Sequence, residues 1–489
     1  MKINWKLLIV FILALVIRLI FLGFHSVIEE DGVGLVTIGK NLVTGNGYIG
    51  IEGDVDLVYS PLYPLLVGLL SFIVRNLELA GRLISVLFGG LLVIPIYLIA
   101  KKVYNKKVAL IAGLLTALYP VLVYLSDIVY AESLYFFVFF FGIYFALESL
   151  DNKKWLNYVL TGLLFGVGYW IKPEIAIAVL IFFVFSLVKN KKEVIVKSLV
   201  FLLIFLVVIA PYIGFLYLET GKLLSNGKSS LTFLLSKGDV GSEEYEKTFF
   251  ELENEKLKRD ILRKEYRNIF SYVFSDGFFK NYFKNLWKEI FKVRSIFPLV
   301  FLLISFLGLK DFRWENKFLF LLFLYPLLFF PMFVVWVRYL SLIVPFLLIW
   351  MSKGIFEFGK YWKLIIGVLV VVLLIGNVLA LYSGEGDIRT EAIEHKEMGE
   401  WLKNNGYEGK VIMGRKAWVA YYSEGKQVYL PYANYDETKK YGCLNDVDLI
   451  VIDERFIKTR PMLKDLLNND DYLYKIDEPK KILVFELQC

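Results

Sequence analysis

Residues 5–31, WKLLIVFILALVIRLIFLGFHSVIEED, set an apolar run of membrane length directly against three consecutive carboxylates, Glu29, Glu30 and Asp31. The run at 5–24 is longer than the core of a signal peptide and lacks a small-residue cleavage site, so it reads as a spanning helix and not a removed leader. Adjacent carboxylates repel and raise one another's pKa unless a cation or a shared proton compensates, which makes such a cluster expensive beside a low-dielectric surface. A spanning helix that delivers an acid cluster to one face of a membrane sets the frame for the rest of the chain.

Further apolar runs lie near 80–100, 107–126, 132–150, 155–171, 173–189, 196–218, 294–310, 316–334, 337–352 and 363–382, which predicts about eleven spanning helices. The composition agrees: 57% of the 489 residues are hydrophobic, 17% aromatic and only 21% charged, outside the range of soluble domains. The net charge of +7 does not imply a nucleic-acid partner, because the basic residues sit in short loops between apolar runs. With a cytoplasmic N-terminus, the loops at 101–107, 151–154, 189–197, 310–317 and 353–363 face the cytoplasm and carry nearly all the short-loop Lys and Arg. The expected location is the plasma membrane, multi-pass, with the C-terminal part extracytoplasmic. The 14 residues at 61–74 are too few to cross and would invert every later loop if they did, so they read as an interfacial or re-entrant helix. Two cysteines, Cys443 and Cys489, give neither a disulfide framework nor metal-ligand spacing, and two histidines are too few for a metal cluster.

The outer face then collects the first loop (25–80), the turns at 127–131 and 172–174, a long stretch at 219–294, and the tail. In 219–294 the segment YEKTFFELENEKLKRDILRKEYRNIFSYVF has helical spacing and predicts amphipathic helices lying on the outer membrane surface. From 383 to 489 helix and strand patterns alternate and close on a hairpin, YLYKIDEPKKILVFEL, which predicts a small α/β domain with a mainly parallel sheet. The fold class is thus a polytopic α-helical membrane protein with outer amphipathic helices and a C-terminal soluble α/β domain, divided into a membrane domain at 1–382 and an extracytoplasmic domain at 383–489.

Charged groups at the outer face are candidates for chemistry. Glu132 opens a spanning helix beside Asp127, where it also complements the helix dipole. Arg18, Lys40, Arg82, Lys172 and Arg338 sit in or at the ends of spans, and each needs a partner: a protein carboxylate, or a phosphate entering from the membrane. Snorkelling to headgroups is the simpler reading of Lys172 and Arg338. Acids and cations on one face fit attack of an acceptor hydroxyl or amine on an anionic lipid-linked donor, with a carboxylate as base and phosphate as leaving group. The carboxylates also suit a hard cation such as Mg²⁺ or Mn²⁺, and a two-acid site without a fixed metal is equally consistent.

The order of motifs resembles the GT-C superfamily of integral-membrane glycosyltransferases, in the branch of the protein O-mannosyltransferases and the lipid A aminoarabinose transferase. Glu30-Asp31 followed by KNLVTGNGY (40–48) is similar to the family's acidic pair, helix and L-x-x-G-x-x-Y ending; YSPLYP (59–64) resembles its P-P-L-Y-P element. Arg82-Leu83-Ile84-Ser85, YLSDIVYAESL (124–134), Lys172-Pro173-Glu174, and Arg338-Tyr339 with Pro345 follow in the family's order. The resemblance implies inverting transfer of a sugar from a polyprenyl-phosphate donor to a protein, lipid or glycan acceptor outside the cytoplasm. It implies Glu30 or Asp31 as the base, Glu132 as a second site acid, and Lys172 and Arg338 on the donor phosphate, with Glu174, Tyr339, Tyr59, Tyr63 and Arg82 lining the donor site. Two positions depart from the pattern: Glu30 stands where the family has Asp, and Ser60 stands where some members carry Lys. The alternative, a polytopic transporter or lipid flippase, calls for polar groups near the midplane and internal repeats, and the sequence has few of the first and none of the second.

Overall fold

In the computed structural model, which describes residues 4–190, 194–228, 242–265, 277–310, 312–333, 335–383, 393–468 and 471–489, the apolar runs fold as a helical bundle. Asn76 and Asn105 start two of its helices, Leu77–Leu91 and Lys106–Leu118, by accepting hydrogen bonds from the first free backbone N–H groups. Among the described residues five helices are long and apolar enough to cross a membrane, or seven if each of two bent pairs counts once. The difference from about eleven apolar runs has two sources. Helices Trp5–Phe21, Trp155–Tyr169 and Ala176–Asn190 have 17, 15 and 15 residues, short of the roughly 18 a straight span needs. The runs at 337–352 and 363–382 lie within one helical stretch, Val337–Leu379, broken at Ile355–Tyr361, where Gly359 takes φ 57°.

The bend between Lys106–Leu118 and Pro120–Asp127 is 51°. Pro120 has no N–H to donate, so backbone carbonyls before it lose their helical partners. Arg18 supplies replacements: its Nη1 donates to Ala117 O at 3.1 Å and its Nη2 to Thr116 O at 3.5 Å, while Nη1 also meets Ala14 O of its own helix at 3.1 Å. Asn377 Nδ2 takes Leu118 O at 2.7 Å. The buried Arg18 therefore meets carbonyls and Ser126 Oγ, and among the described residues neither a carboxylate nor a phosphate-facing opening.

After helix Trp5–Phe21 the chain runs into helix Glu30–Thr44, ended by Gly45 in the left-handed conformation. It crosses the 13-residue apolar helix Leu62–Val74, which is too short to span and leaves Phe72 and Ile73 exposed. The crossing needs glycine on both sides: a Cβ on Gly39 would lie 2.5 Å from Pro64 O, and one on Gly68 would lie 2.3 Å from Gly39 O. This contact fixes where the first turn of Glu30–Thr44 points.

The outer stretch departs from the helical expectation. Glu243–Phe250 is a helix, but Leu252–Glu253 (β1) and Lys256–Leu257 (β2) form a hairpin turned at Asn254 and Glu255, both with positive φ, before helix Lys258–Glu265. Helical periodicity cannot see a two-residue turn of this kind. Glu243–Phe250 packs on the tail and not toward lipid: Glu246 is buried between Arg415 and Arg460 at 2.7 Å from each. Residues 266–274 of the expected amphipathic segment lie outside the described residues. Helix Phe278–Ile296 exposes Phe279, Phe283, Trp287, Ile290 and Phe291, while Asn285 donates to the carbonyls of Pro331 and Phe333.

In the tail, Val411–Gly414 (β3), Lys426–Tyr429 (β4), Leu449–Asp453 (β5), Tyr474–Ile476 (β6) and Ile482–Glu486 (β7) form one sheet in the order β4-β3-β5-β7-β6. The first three strands are parallel and the closing hairpin pairs antiparallel, so the sheet is mixed and not mainly parallel. Leu449–Asp453 is buried along its length, as a central strand covered on both faces should be. Cys443 and Cys489 form a disulfide, contrary to the sequence reading. A pairing across 46 residues depends on β7 carrying the C-terminus back past helix Tyr435–Leu444, which spacing alone does not reveal.

Replacing Arg18 by Met is expected to strand the carbonyls at the bend and cost about 3 kcal/mol. The check is the thermal midpoint in detergent, which should fall clearly; an unchanged midpoint would show that the bend satisfies itself.

Candidate functional site

The three consecutive acids go to three different places. Glu29 turns inward, 3% exposed, and accepts from Val129 N at 3.2 Å. Glu30 and Asp31, in the first turn of helix Glu30–Thr44, face a cavity of about 470 Å³ lined also by Val121, Tyr124, Tyr130, Trp336 and Arg338. The repulsion that the sequence raised is resolved by giving each carboxylate its own donors: Glu30 Oε2 pairs with Lys416 Nζ from the tail, and Asp31 Oδ2 with Arg338 Nη1 at 2.5 Å.

Both oxygens of Asp31 are committed, since Tyr59 Oη donates to Oδ1 at 3.0 Å. Burial alone would raise its pKa, but Arg338 and Lys228 outweigh that and hold the carboxyl well below the usual range. Glu30 is bonded through Oε2, and its Oε1 has no hydrogen-bond partner among the described residues.

Arg338 sits in an aromatic cage, its guanidinium carbon 4.5 Å from the Trp336 ring centre, 4.7 Å from Tyr130 and 4.9 Å from Tyr339. Its Nε is buried and has no hydrogen-bond partner among the described residues. Lys172 Nζ lies 2.7 Å from Glu132 Oε1 and 4.8 Å from the Tyr339 ring centre. Lys228 Nζ donates to Tyr339 Oη at 3.4 Å. Three cations thus surround one tyrosine, against two carboxylates, Asp31 and Glu132. Such an excess of positive charge in a half-buried place favours an anion with several acceptor oxygens, and a phosphate has that form.

Of the residues singled out in the sequence, Glu30, Asp31 and Arg338 line the cavity, Tyr59 and Tyr339 contact Asp31 and Arg338, and the Lys172–Glu132 pair joins through the Tyr339 ring. Arg82 does neither. It is buried between Glu78 (2.7 Å) and Asp127 (3.7 Å) and donates to Val27 O and Asp127 O, tying the approach to Glu29 in place. Tyr63 is fully buried and donates to Gly81 O, beside Ser85 Oγ at 3.0 Å. Glu174 stands half-buried in the turn Pro173–Ile175, outside the cavity lining.

The sequence reading missed Lys228, Lys416, Trp336 and Tyr130. Trp336 and Tyr130 had a signal, since each neighbours a residue already chosen. Lys228 had none. It is tucked in because Gly227 presses against Leu57 O, where a Cβ would lie 2.2 Å away. No group of three or more metal-ligating side chains occurs among the described residues. Glu30 and Asp31 are each taken up by a cation, so this pair does not fit a two-acid cage for Mg²⁺ or Mn²⁺.

Burial of Glu29, only partly offset by Arg82, raises its pKa to about 7. A carboxyl raised on folding adds stability below its unfolded pKa of about 4.3 and loses it as pH rises through the folded value. Stability should therefore fall between about pH 4 and 7 by about 3 kcal/mol from this group. Glu29→Gln should flatten that slope and raise the thermal midpoint at pH 8; a slope unaltered by the substitution would contradict this.

Comparison with known proteins follows the same lines. Residues 59–215 match the family described as dolichyl-phosphate-mannose-protein mannosyltransferase. No curated protein matches the chain in sequence. Among solved structures, ArnT from Cupriavidus metallidurans bound to undecaprenyl phosphate superposes with a TM-score of 0.62 at 11% identity, over 98% of this chain and 97% of that one. The archaeal oligosaccharyltransferase AglB from Archaeoglobus fulgidus, in complex with an inhibitory peptide and a dolichol-phosphate, gives 0.53 at 11% identity, over 92% of this chain and 69% of that one. The chain thus shares the fold of these structures over nearly its whole length, and its residues 59–215 match that family.

Proposed function

We propose that the protein transfers a sugar from a polyprenyl-phosphate-linked donor to an acceptor at the extracytoplasmic face of a membrane. The observation that carries this reading is the cluster of Arg338, Lys172 and Lys228 around Tyr339, with the free Nε of Arg338 beside the cavity. Two neighbours of the same fold are bound to undecaprenyl phosphate and to a dolichol-phosphate, which supports a lipid phosphate as the anion here.

The chemistry is a single displacement. The acceptor oxygen or nitrogen attacks the anomeric carbon, the bond from that carbon to the phosphate oxygen breaks, and the configuration inverts. The cations take up the charge that develops on the leaving phosphate. Glu30, with Oε1 free, receives the acceptor's proton. Asp31, engaged at both oxygens and strongly acidic, is a poor base and serves to hold Arg338 and Tyr59 in place.

Residues 1–382 form the membrane part, with about eleven membrane-embedded segments, and 383–489 cover its outer face. The exposed Phe and Trp stripe of Phe278–Ile296 lies on the membrane surface. A Cys443–Cys489 disulfide suits an oxidising compartment and so supports an extracytoplasmic tail. Nothing in the described bundle favours the transporter alternative: Arg18, the buried arginine of helix Trp5–Phe21, is absorbed by backbone carbonyls.

Glu30→Gln should lower sugar transfer by about 100-fold or more while the protein stays folded and still binds donor. Wild-type turnover in that variant would remove Glu30 as the base. For the compartment, intact protein should show no reactive thiol until it is reduced, and reduction should cost about 4 kcal/mol by the loop-entropy estimate. Two thiols reacting without reductant would contradict an oxidising location.

A further inference from the structure

We propose that Lys416, supplied by the tail, is a positioning residue for the transfer reaction: it holds one oxygen of Glu30 so that the other faces the acceptor. The inference rests on Glu30 being the base. Lys416 is the second residue after Gly414, the last residue of β3. The sheet's parallel half thus presents the carboxyl end of β3, the usual side for functional groups in such sheets, to the membrane part's acid pair.

An exposed lysine on an exposed glutamate would contribute little, because both long side chains wander. Here both partners are fixed. The Lys416 side chain is 20% exposed, with the rings of Trp418 and Phe456 each centred 5.6 Å from its Nζ. The residue before it, Arg415, is anchored on Glu246 by three hydrogen bonds of 2.7–3.1 Å. On the other side, Trp418 Nε1 donates to Ile28 O at 2.7 Å, and Ile28 N donates to Tyr422 Oη at 3.0 Å. Lys396 Nζ adds a bond to Ser26 O at 2.9 Å. The segment at 415–422 therefore grips the backbone two residues before Glu30 while Lys416 takes its carboxylate.

The consequence is chemical. Glu30 and Asp31 are neighbours on one helical turn, and without Lys416 the Glu30 carboxylate would swing away from Asp31 or toward the cations of the phosphate site. Lys416 keeps it apart from Arg338 and aimed. The tail is then part of the reaction centre.

The test uses the full-length protein in membranes, with the lipid-linked sugar pool of the source cells, radiolabelled, as donor and the same membranes as acceptor. Lys416→Met should lower the maximal rate by about 100-fold, with the half-saturating donor level and the thermal midpoint near wild type. Lys416→Arg, which restores a cation of similar reach, should recover most of the rate. Combining Lys416→Met with Glu30→Gln should be no worse than Glu30→Gln alone. A Lys416→Met rate within twofold of wild type, beside an inactive Glu30→Gln, would overturn the role of Lys416 and leave the base assignment standing, as would losses that multiply in the double variant. An active Glu30→Gln would overturn the base assignment itself, and this inference with it.

Discussion

The ion pair between Asp31 and Arg338 joins the two ends of the membrane part. Asp31 comes from the first outer loop and Arg338 from the start of the helical stretch Val337–Leu379. Buried pairs recover their desolvation cost only when the geometry and the remaining hydrogen bonds are good. Tyr59 completes Asp31, and three aromatic rings surround the guanidinium, so that condition is met. Apolar replacements of buried ion pairs are often neutral or stabilising, so the pair is better explained by what it holds ready than by stability. Arg338 is kept charged and in one position, with a donor to spare, next to two lysines.

Around that pair the fold solves two problems of charge near lipid. The carbonyls released at the bend before Pro120 are answered by Arg18 and Asn377, so the helix can turn without leaving polar groups in hydrocarbon. The three acids at 29–31 are separated by a single helix start: Glu29 ends the extended approach, and Glu30 and Asp31 begin the turn, which sends their side chains to different donors. The glycine crossing of Gly39 and Gly68 sets that start, and the tail's grip on Ile28 keeps it there.

What the sequence disclosed is the part governed by local cost. A carboxylate run beside a span, or a cation at the mouth of one, is expensive wherever the chain folds, and Glu30, Asp31, Glu132, Lys172 and Arg338 were legible for that reason. Tyr59 and Tyr339 came with the motif resemblance and do touch these groups. Arg82 and Tyr63 came the same way but serve the packing beneath the site. What stayed hidden depends on contacts far apart in the chain. Lys228 and Lys416 lie in segments with no local signature, and only the packing of Gly227 on Leu57 and of the tail on the first loop brings them in. The same holds for the Cys443–Cys489 bond and for the helix of Glu246, whose periodicity suits a lipid-facing surface although it packs on the tail.

The central claim is that the cations around Tyr339 hold the phosphate of a polyprenyl carrier. Native mass spectrometry of the gently extracted protein, with identification of the lipids it retains, tests this most directly. A polyprenyl phosphate or polyprenyl-phosphate sugar is expected bound one to one, retained by wild type and lost from Arg338→Ala protein that is still folded. Bulk phospholipid alone, or a polyprenyl phosphate retained equally by both proteins, would contradict it.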